Sequence, residues 1–557
     1  MKYIFFMALT FVWKVQLFSQ GSNIPAGSTA YPIIDRLEII TSLQTPYYSG
    51  LKNYARGDVA RFALVLDTTP NISLSPADRE DLLRIFKDNN EWISTSEIPV
   101  TIAGKREGIF QKSGEDSLGA IYRKVAPSQI EACVKDGRYV YCKKPIFGIF
   151  YKTPANWFEL NKPAFHLRVN PILNLKVAKE DGDGEPVFLA QRGIELRGGI
   201  DDRVWFYTNI VDALARFPDY VNEYVAQHKA IPGQGYFKPY KSQYFDITNG
   251  FDYLNGQAEL GFNLTRNVSV QFGHGKNFIG NGYRSLLLSD FSNNYLNLKL
   301  HWRIGKLHYQ NLFAELSSLS AQANPGENLL PKKYMAAHYL GFDFLSGLSF
   351  GLFEATIFSR DGKTGHFELQ YLNPVILYRT VEQLLDSPDN VLIGINAKAN
   401  LLHRFQIYAQ LMMDEFKFGE LIVDNQGWWA NKYGVQAGFK YINAFGIEHL
   451  DLQVEYNTVR PYTYSYSDSL GASYSHYSQP LAHPLGANFK EIIGTFRWQP
   501  LRRWTFEGRL IRANFGEDEN GSNWGGNIFL NYESRELEYG NDTGQGVATS
   551  TTLAGLD

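Results

Sequence analysis

The stretch that decides the fold is "YLNLKLHWRIGKLHYQNL", residues 295–312. Leu296, Leu298, Leu300 and Trp302 alternate with Asn297, Lys299, His301 and Arg303. Successive side chains of a strand point to opposite faces, so this segment has one apolar face and one polar, charged face. "AELGFNLTRNVSVQFG" (258–273) sets Leu260, Phe262 and Leu264 against Glu259 and Asn263, then turns at Thr265–Asn267 into Val268, Val270 and Phe272. "HLDLQVEYN" (449–457) and "RRWTFEGRL" (502–510) repeat the pattern. A soluble sheet with one buried face alternates in the same way. Three further features favour a membrane barrel.

The first is composition. The 557 residues include 38 Phe, 34 Tyr, 10 Trp and 49 Gly against 5 Met, a mixture that suits strands and turns over helices. The second is the position of the aromatics near strand ends, at Trp428–Trp429, Tyr462–Tyr466 and Trp498, where a barrel carries its interfacial girdles. The third is export. "MKYIFFMALTFVWKVQLFSQG" carries one lysine before an apolar run from Tyr3 to Trp13 and reads as a signal peptide, 1–19, cleaved after Ser19. Nothing else approaches the ~18–20 apolar residues of a transmembrane helix, so a membrane form must be a closed barrel. At about 20 residues per strand and turn, the strand-rich part predicts about 14–18 antiparallel strands. The fold class is therefore mainly β, a transmembrane antiparallel barrel.

Residues 20–165 read as a periplasmic α+β region. "SLSPADREDLLRIFKDNNEW" (73–92) starts a helix at Ser-Pro and carries Leu82, Leu83, Ile85 and Phe86 on one face. "ARFALVLD" (60–67) and "YVYCKKPIFGIFYK" (139–152) read as short strands. Residues 166–557 read as the barrel, with a helical, plug-like insertion near 209–230. Pro218 suits a first turn there, and Val221, Tyr224, Val225 and His228 keep helical spacing. A helix packed on a soluble sheet explains that segment equally well. The chain stops at "GVATSTTLAGLD" without an aromatic-ended strand. Either the last strand is atypical or closing strands are missing.

Cys133 and Cys142 flank "VKDGRYVY". A two-residue Gly137–Arg138 turn places them opposite each other at a non-hydrogen-bonded pair, where Cα atoms approach to ~4.5 Å, inside the disulfide range of about 4.4–6.8 Å. In an exported chain this reads as a structural disulfide; a turn centred on Asp136–Gly137 would spoil the register. Zinc would want more Cys or His.

The glycine-rich "FGHGKNFIGNGYRSLLLSD" (272–290) invites comparison with phosphate loops. Gly275 and Gly280 have P-loop spacing, but Asn281 and Gly282 stand where Lys and Ser/Thr are required. Gly273 and Gly275 are followed by Phe278, which fails the dinucleotide pattern. The glycines are assigned to a barrel loop that needs positive φ or close backbone approach. His274, Lys276, Arg284 and Asp290 form, with Asp414 and Glu415, a candidate polar network in the lumen. Asp414 and Glu415 are adjacent and are expected to face opposite sides of a strand. No nucleophile elbow or H-E-x-x-H appears, and the 11 histidines are scattered. The reading is non-enzymatic, without cofactor or metal. A net charge of −3 gives no sign of a nucleic-acid partner.

Several stretches in order, "FGHGKNFIGNGYRSLLLSD", "LQYLNPVILYRTVE", "SPDNVLIGIN", "LMMDEFKF" and "VEYNTVRPYTYS", resemble the capsule-assembly Wzi family of outer-membrane barrels. "IIDRLEI" (33–39) and "HKAIPGQGYFKPYK" (228–241) resemble its RemB-type, gliding-motility branch. The resemblance implies a barrel occluded by a periplasmic helical element in the outer membrane of a Gram-negative bacterium. It implies attachment or assembly of exported capsular polysaccharide, or a role in surface movement. The partners it implies are outer-membrane lipid, polysaccharide, and adhesin or motility proteins. The alternative is a diffusion porin or transporter, which predicts an open lumen.

Overall fold

The computed structural model describes residues 21–92 and 155–557, short segments excepted, and the backbone of two hairpins between them. The signal-peptide reading, 1–19, lies outside the described residues. Helices α1 (Ala30–Thr41), α2 (Arg56–Thr68) and α3 (Pro76–Asp88) come first. The hairpins are β1 (Gln111–Asp116) with β2 (Gly119–Arg123), and β3 (Ala132–Lys135) with β4 (Arg138–Tyr141).

The wall then follows in chain order. Its first part is β5 (Phe158–Lys162), β6 (Phe165–Ala178), β7 (Val187–Ile200), β8 (Val204–Arg216), α4 (Asp219–His228), β9 (Phe237–Ser242), β10 (Ile247–Asn263) and β11 (Val268–Gly275). Next come β12 (Tyr295–Ile304), β13 (Leu307–Ser317), β14 (Lys332–Leu345), β15 (Leu348–Phe358), α5 (Tyr378–Leu385), β16 (Asn390–Leu401) and β17 (Phe405–Glu415). Last are β18 (Lys432–Tyr441), β19 (Leu450–Val459), the short pair β20 (Ser475–His476) and β21 (Gln479–Pro480), β22 (Phe489–Leu501), β23 (Trp504–Glu517) and β24 (Val547–Leu556).

Among the described residues, eighteen strands close into one barrel, and only β1–β4, β20 and β21 stand apart from it. β24, the segment whose atypical sequence ends the chain, pairs with β23 from Val547–Glu517 to Leu556–Gly508.

The alternation resolves in favour of lipid. On β12, Leu296 and Ile304 are exposed outside, while Asn297 and Lys299 are buried inside. On β19, Val454 is exposed and Glu455 buried; on β23, Trp504 and Phe506 face out. A soluble sandwich would put the apolar face in the core. Here that face is outside and the polar face lines the lumen, as a bilayer demands. No described helix is long and apolar enough to cross a membrane.

The two ends of the barrel differ. One end carries short connections at 201–203, 264–267, 305–306, 346–347 and 402–404; the other carries 276–294, 318–331, 359–389, 416–431, 460–488 and 518–546. Short turns mark the periplasmic end and long loops the extracellular one. α1–α3 sit at the short-turn end, where Arg303 approaches Asp58 and the Ser346 hydroxyl donates to the Ser42 carbonyl.

Three readings change. "ARFALVLD" is not a strand but part of α2. Its Val59, Phe62, Ala63 and Leu66 are spaced for a helix and bury against Leu37 and Leu82. The insertion near 209–230 begins only after β8 ends at Arg216, and α4 lies in an extracellular connection, with Val225 packed on Ala213 and Tyr253. The hairpin β3–β4 pairs Lys135 with Arg138 across the Asp136–Gly137 connection and Cys133 with Val140, so Cys133 faces a residue two positions short of Cys142, which lies outside the described residues.

Candidate functional site

The lumen is filled in three layers, each built by a different part of the chain. The first is α1–α3. α3 starts at a capping box in which Ser75 and Asp78 cap each other, with Pro76 in the first turn. Asp78 also accepts from Arg36 Nε at 2.9 Å, and Arg36 in turn reaches Asp451 and, at 2.9 Å, Asn443 on the wall. Lys440 holds Asp35 at 2.8 Å, Lys398 pairs with Glu38, and Arg197 holds Glu91 at 2.9 Å. Burial pushes the Asp35 carboxyl up, but Lys440 and Lys52 outweigh it and hold the group down at about 2. These buried pairs hold the helices to the barrel wall; removing one partner would strand a charge without water.

The second layer is the glycine-rich segment itself, which folds back into the lumen. Gly280 N–H donates to Gly50 O at 2.8 Å and Lys52 N–H to Phe278 O at 3.0 Å, so the loop docks on the chain just after α1. Glu455 accepts from Tyr283 N–H (2.7 Å), Arg284 N–H (3.0 Å) and the Tyr408 hydroxyl (2.7 Å). Gln410 accepts from Leu286 N–H at 2.8 Å and donates to Ile279 O at 3.0 Å. A Cβ on Gly282 would come within 2.4 Å of Glu455 Oε2, and Gly280 has φ +145°, so both positions need glycine. Leu286, Leu287 and Leu288 are fully buried.

The third layer is loop 460–488. Tyr464 and Tyr474 donate to the Leu286 and Leu287 carbonyls at 2.7 Å each, and Ser289 N–H donates to Leu481 O at 2.8 Å. Lys333 of the wall is tied to Ser475 Oγ at 2.8 Å.

The candidate network does not assemble as one set. His274 is misplaced: it shares the outward face of β11 with Val270 and Phe272, exposed, with Nδ1 at 3.3 Å from Gly256 O. Lys276 donates to Gly233 O at 2.9 Å, and burial pushes it down to about 8, with Asp290 opposing. Arg284 lies 3.6 Å from Glu491. Asp414 and Glu415 form a third group. An irregularity in the β17–β18 ladder between Met413 and Glu415 lets both carboxylates reach Lys432, at 3.4 and 3.5 Å, which simple alternation did not allow. Glu455, Gln410, Gln436 and Asn396, which bond the infolded loop, are not among the candidates. Their signal was a polar side chain at each inward position of strands already identified.

Outside the lumen, the extracellular rim carries an aromatic and charged cluster. Trp429 packs on Tyr532 at 4.8 Å between ring centroids, with the Arg535 guanidinium 4.2 Å over its ring. The indole N–H groups of Trp428 and Trp429 both donate to Glu538 Oε1, at 3.2 and 3.0 Å. Arg535 holds the Glu538 carboxyl below its ordinary range. Trp428 and Trp429 therefore belong to rim loops and not to a lipid girdle. Trp428 and Trp429 are partly buried, and an aromatic surface beside fixed carboxylate and guanidinium groups suits a ligand with both apolar faces and hydroxyls. Among the described residues, no group of three or more His, Cys, Asp or Glu is placed to hold a metal.

This is the geometry of an outer-membrane β-barrel whose lumen is occupied by its own chain. Among solved structures it is similar to Wzi, an outer-membrane protein involved in group 1 capsule assembly in Escherichia coli and a carbohydrate-binding β-barrel. The TM-score is 0.50 at 11% identity, over 96% of this chain and 95% of that one. OmpF of Salmonella typhi follows with TM-score 0.36 and 9% identity over 72% and 99% of the two chains. OprD of Pseudomonas aeruginosa gives 0.28 and 10% over 70% and 91%. The first likeness shows the fold, and the other two are too distant to carry weight. No protein-family model and no curated protein matches the chain.

Proposed function

We propose that the protein is a non-enzymatic outer-membrane barrel that holds exported polysaccharide at the cell surface, in capsule assembly or as a support for surface movement. The observation that carries this reading is the filled lumen. A barrel packed by α1–α3, 276–294 and 460–488 is poorly built for diffusion, which leaves its outer rim as the working surface. Sugar recognition needs aromatic faces beside fixed polar groups, and the Trp428–Trp429–Tyr532 cluster with Arg535 and Glu538 offers both. The solved barrel of similar fold binds carbohydrate, which supports the same assignment.

The test is a deletion strain, in which cell-attached polysaccharide is measured against polysaccharide released to the medium. A shift into the medium with unchanged synthesis, rescued by the wild-type chain and not by Trp429→Ala, is the expected result. An unchanged partition would overturn the anchoring role.

A further inference from the structure

The outer wall carries a feature that the lumen and rim do not explain. On β13, β14 and β15, Asn311 is paired with His338 and His338 with Glu354. All three lie on the outward face, in line with Leu340, Phe350 and Leu352. Yet Asn311 and His338 are fully buried, and Glu354 is 3% exposed. About 9–11 residues of tilted strand cross the hydrocarbon core. Glu354 stands four positions along β15 from the exposed Phe350, so this polar row falls within the hydrocarbon depth.

What buries the row is the described part of the β15–β16 connection, 365–374 and 377–385, which folds down over the outside of the barrel. The Leu377 and Arg379 N–H groups donate to Glu354, the latter at 3.3 Å. Tyr378 bonds and packs against His338, with ring centroids 4.0 Å apart, and Tyr309 donates to the Pro374 carbonyl. Phe313, Tyr334 and Phe358 of the outer wall close a small apolar core with Tyr371, Tyr378 and Val381 of the flap. Its far side presents Leu369, Leu372, Leu377 and Leu384, the last 81% exposed.

We infer that this flap is embedded in the outer leaflet: it takes the place of lipid over the Asn311–His338–Glu354 row, and its four leucines contact acyl chains. Two observations on separate surfaces agree. A polar row at hydrocarbon depth needs protein cover, because lipid offers it no hydrogen bonds. The cover itself turns leucines toward the side where lipid lies, continuous with the apolar wall around it.

The test places a nitroxide on Leu384→Cys in a Cys133→Ser/Cys142→Ser background, in dioleoylphosphatidylcholine vesicles. Leu260→Cys serves as a lipid-facing control and Leu402→Cys as an aqueous one. Collision with oxygen should exceed collision with a nickel chelate severalfold at Leu384, as at Leu260. A ratio like that of Leu402, or low collision with both, would overturn the inference; the second result means that another protein covers the flap. If the serine background fails to fold, a benzophenone side chain at position 384 of the otherwise unaltered chain gives the same decision in cells. A lipid adduct supports the inference. A protein adduct, or none where position 260 yields a lipid adduct, overturns it.

Discussion

The two halves of the barrel wall treat the plug differently. From β12 to β19 the inner face is sealed: Asn396, Gln436 and Glu455 have no exposed surface, and each bonds the infolded loop. Across β6, β7, β22 and β23 the wall is less fully filled, although Arg197 reaches Glu91 and the Asp88 carbonyl, each at 2.9 Å. A cavity of about 450 Å³ remains there, lined by Arg56, Arg84, Glu195, Arg197, Arg497 and Glu507 among others. The plug is therefore tightly packed on one side and pinned on the other by a few buried pairs, Arg197 to Glu91 and Arg168 to Asn90, each at 2.9 Å. The contrast follows from chemistry: on the first side amide and carboxylate side chains bond the loop backbone directly, while on the second a few arginine–carboxylate pairs bridge a wider space.

If packing is tighter on one side, the largest effect should come from the buried charges there. Arg36→Ala leaves Asp78 and Asp451 without their cation and should loosen α1–α3 by about 3–5 kcal/mol, read from hydrogen exchange of α1 amides. Glu455→Ala removes the acceptor of four donors, two of them backbone N–H groups of the infolded loop. It should favour opening of 276–294 by about 3 kcal/mol, read from exchange at Leu286–Leu288. Protection equal to wild type in either variant would break the comparison.

Acid should act on the same side. His449 receives or gives a hydrogen bond with Ser75 at 2.7 Å and faces Asp78, Arg36 and Arg497. Burial, with Arg36, holds it down at about 4, below its ordinary 6.5. The docked state thus binds fewer protons, and its stability is full above pH 6.5 and lost as pH falls toward 4. Asp81, pushed up to about 6 by burial, works in the opposite sense. The difference between wild type and His449→Gln isolates the histidine: α3 protection should fall more steeply with acid in wild type. The smallest effect belongs to the open side, where Glu507→Ala, half-exposed and 3.4 Å from Arg497, should stay within about 0.5 kcal/mol.

How much of this could be read from the sequence depended on how local the signal was. Period-two alternation is carried by neighbouring residues, so β10, β12, β19 and β23 were legible, down to which residues face which side. The Ser75–Pro76 start and the apolar face of Leu82, Leu83, Ile85 and Phe86 made α3 legible for the same reason. "ARFALVLD" misled because Ala60, Phe62, Leu64 and Leu66 alternate as a strand would, while Val59, Phe62, Ala63 and Leu66 also fit a helix. Packing against α1 and α3 decided between them. The glycine loop was rightly taken from phosphate chemistry and given to the barrel, but its infolding depends on Glu455 and Gln410, more than a hundred residues away in the chain. The flap left one unused trace, His338 and Glu354 interrupting apolar faces on adjacent strands.

The central claim is that the chain closes its own lumen, and conductance in planar bilayers tests it most directly. The wild-type protein should show no sustained channel, and Glu455→Ala should give brief openings as 276–294 escapes. A steady, porin-sized conductance from the wild-type protein would contradict the account and return the barrel to the diffusion pores.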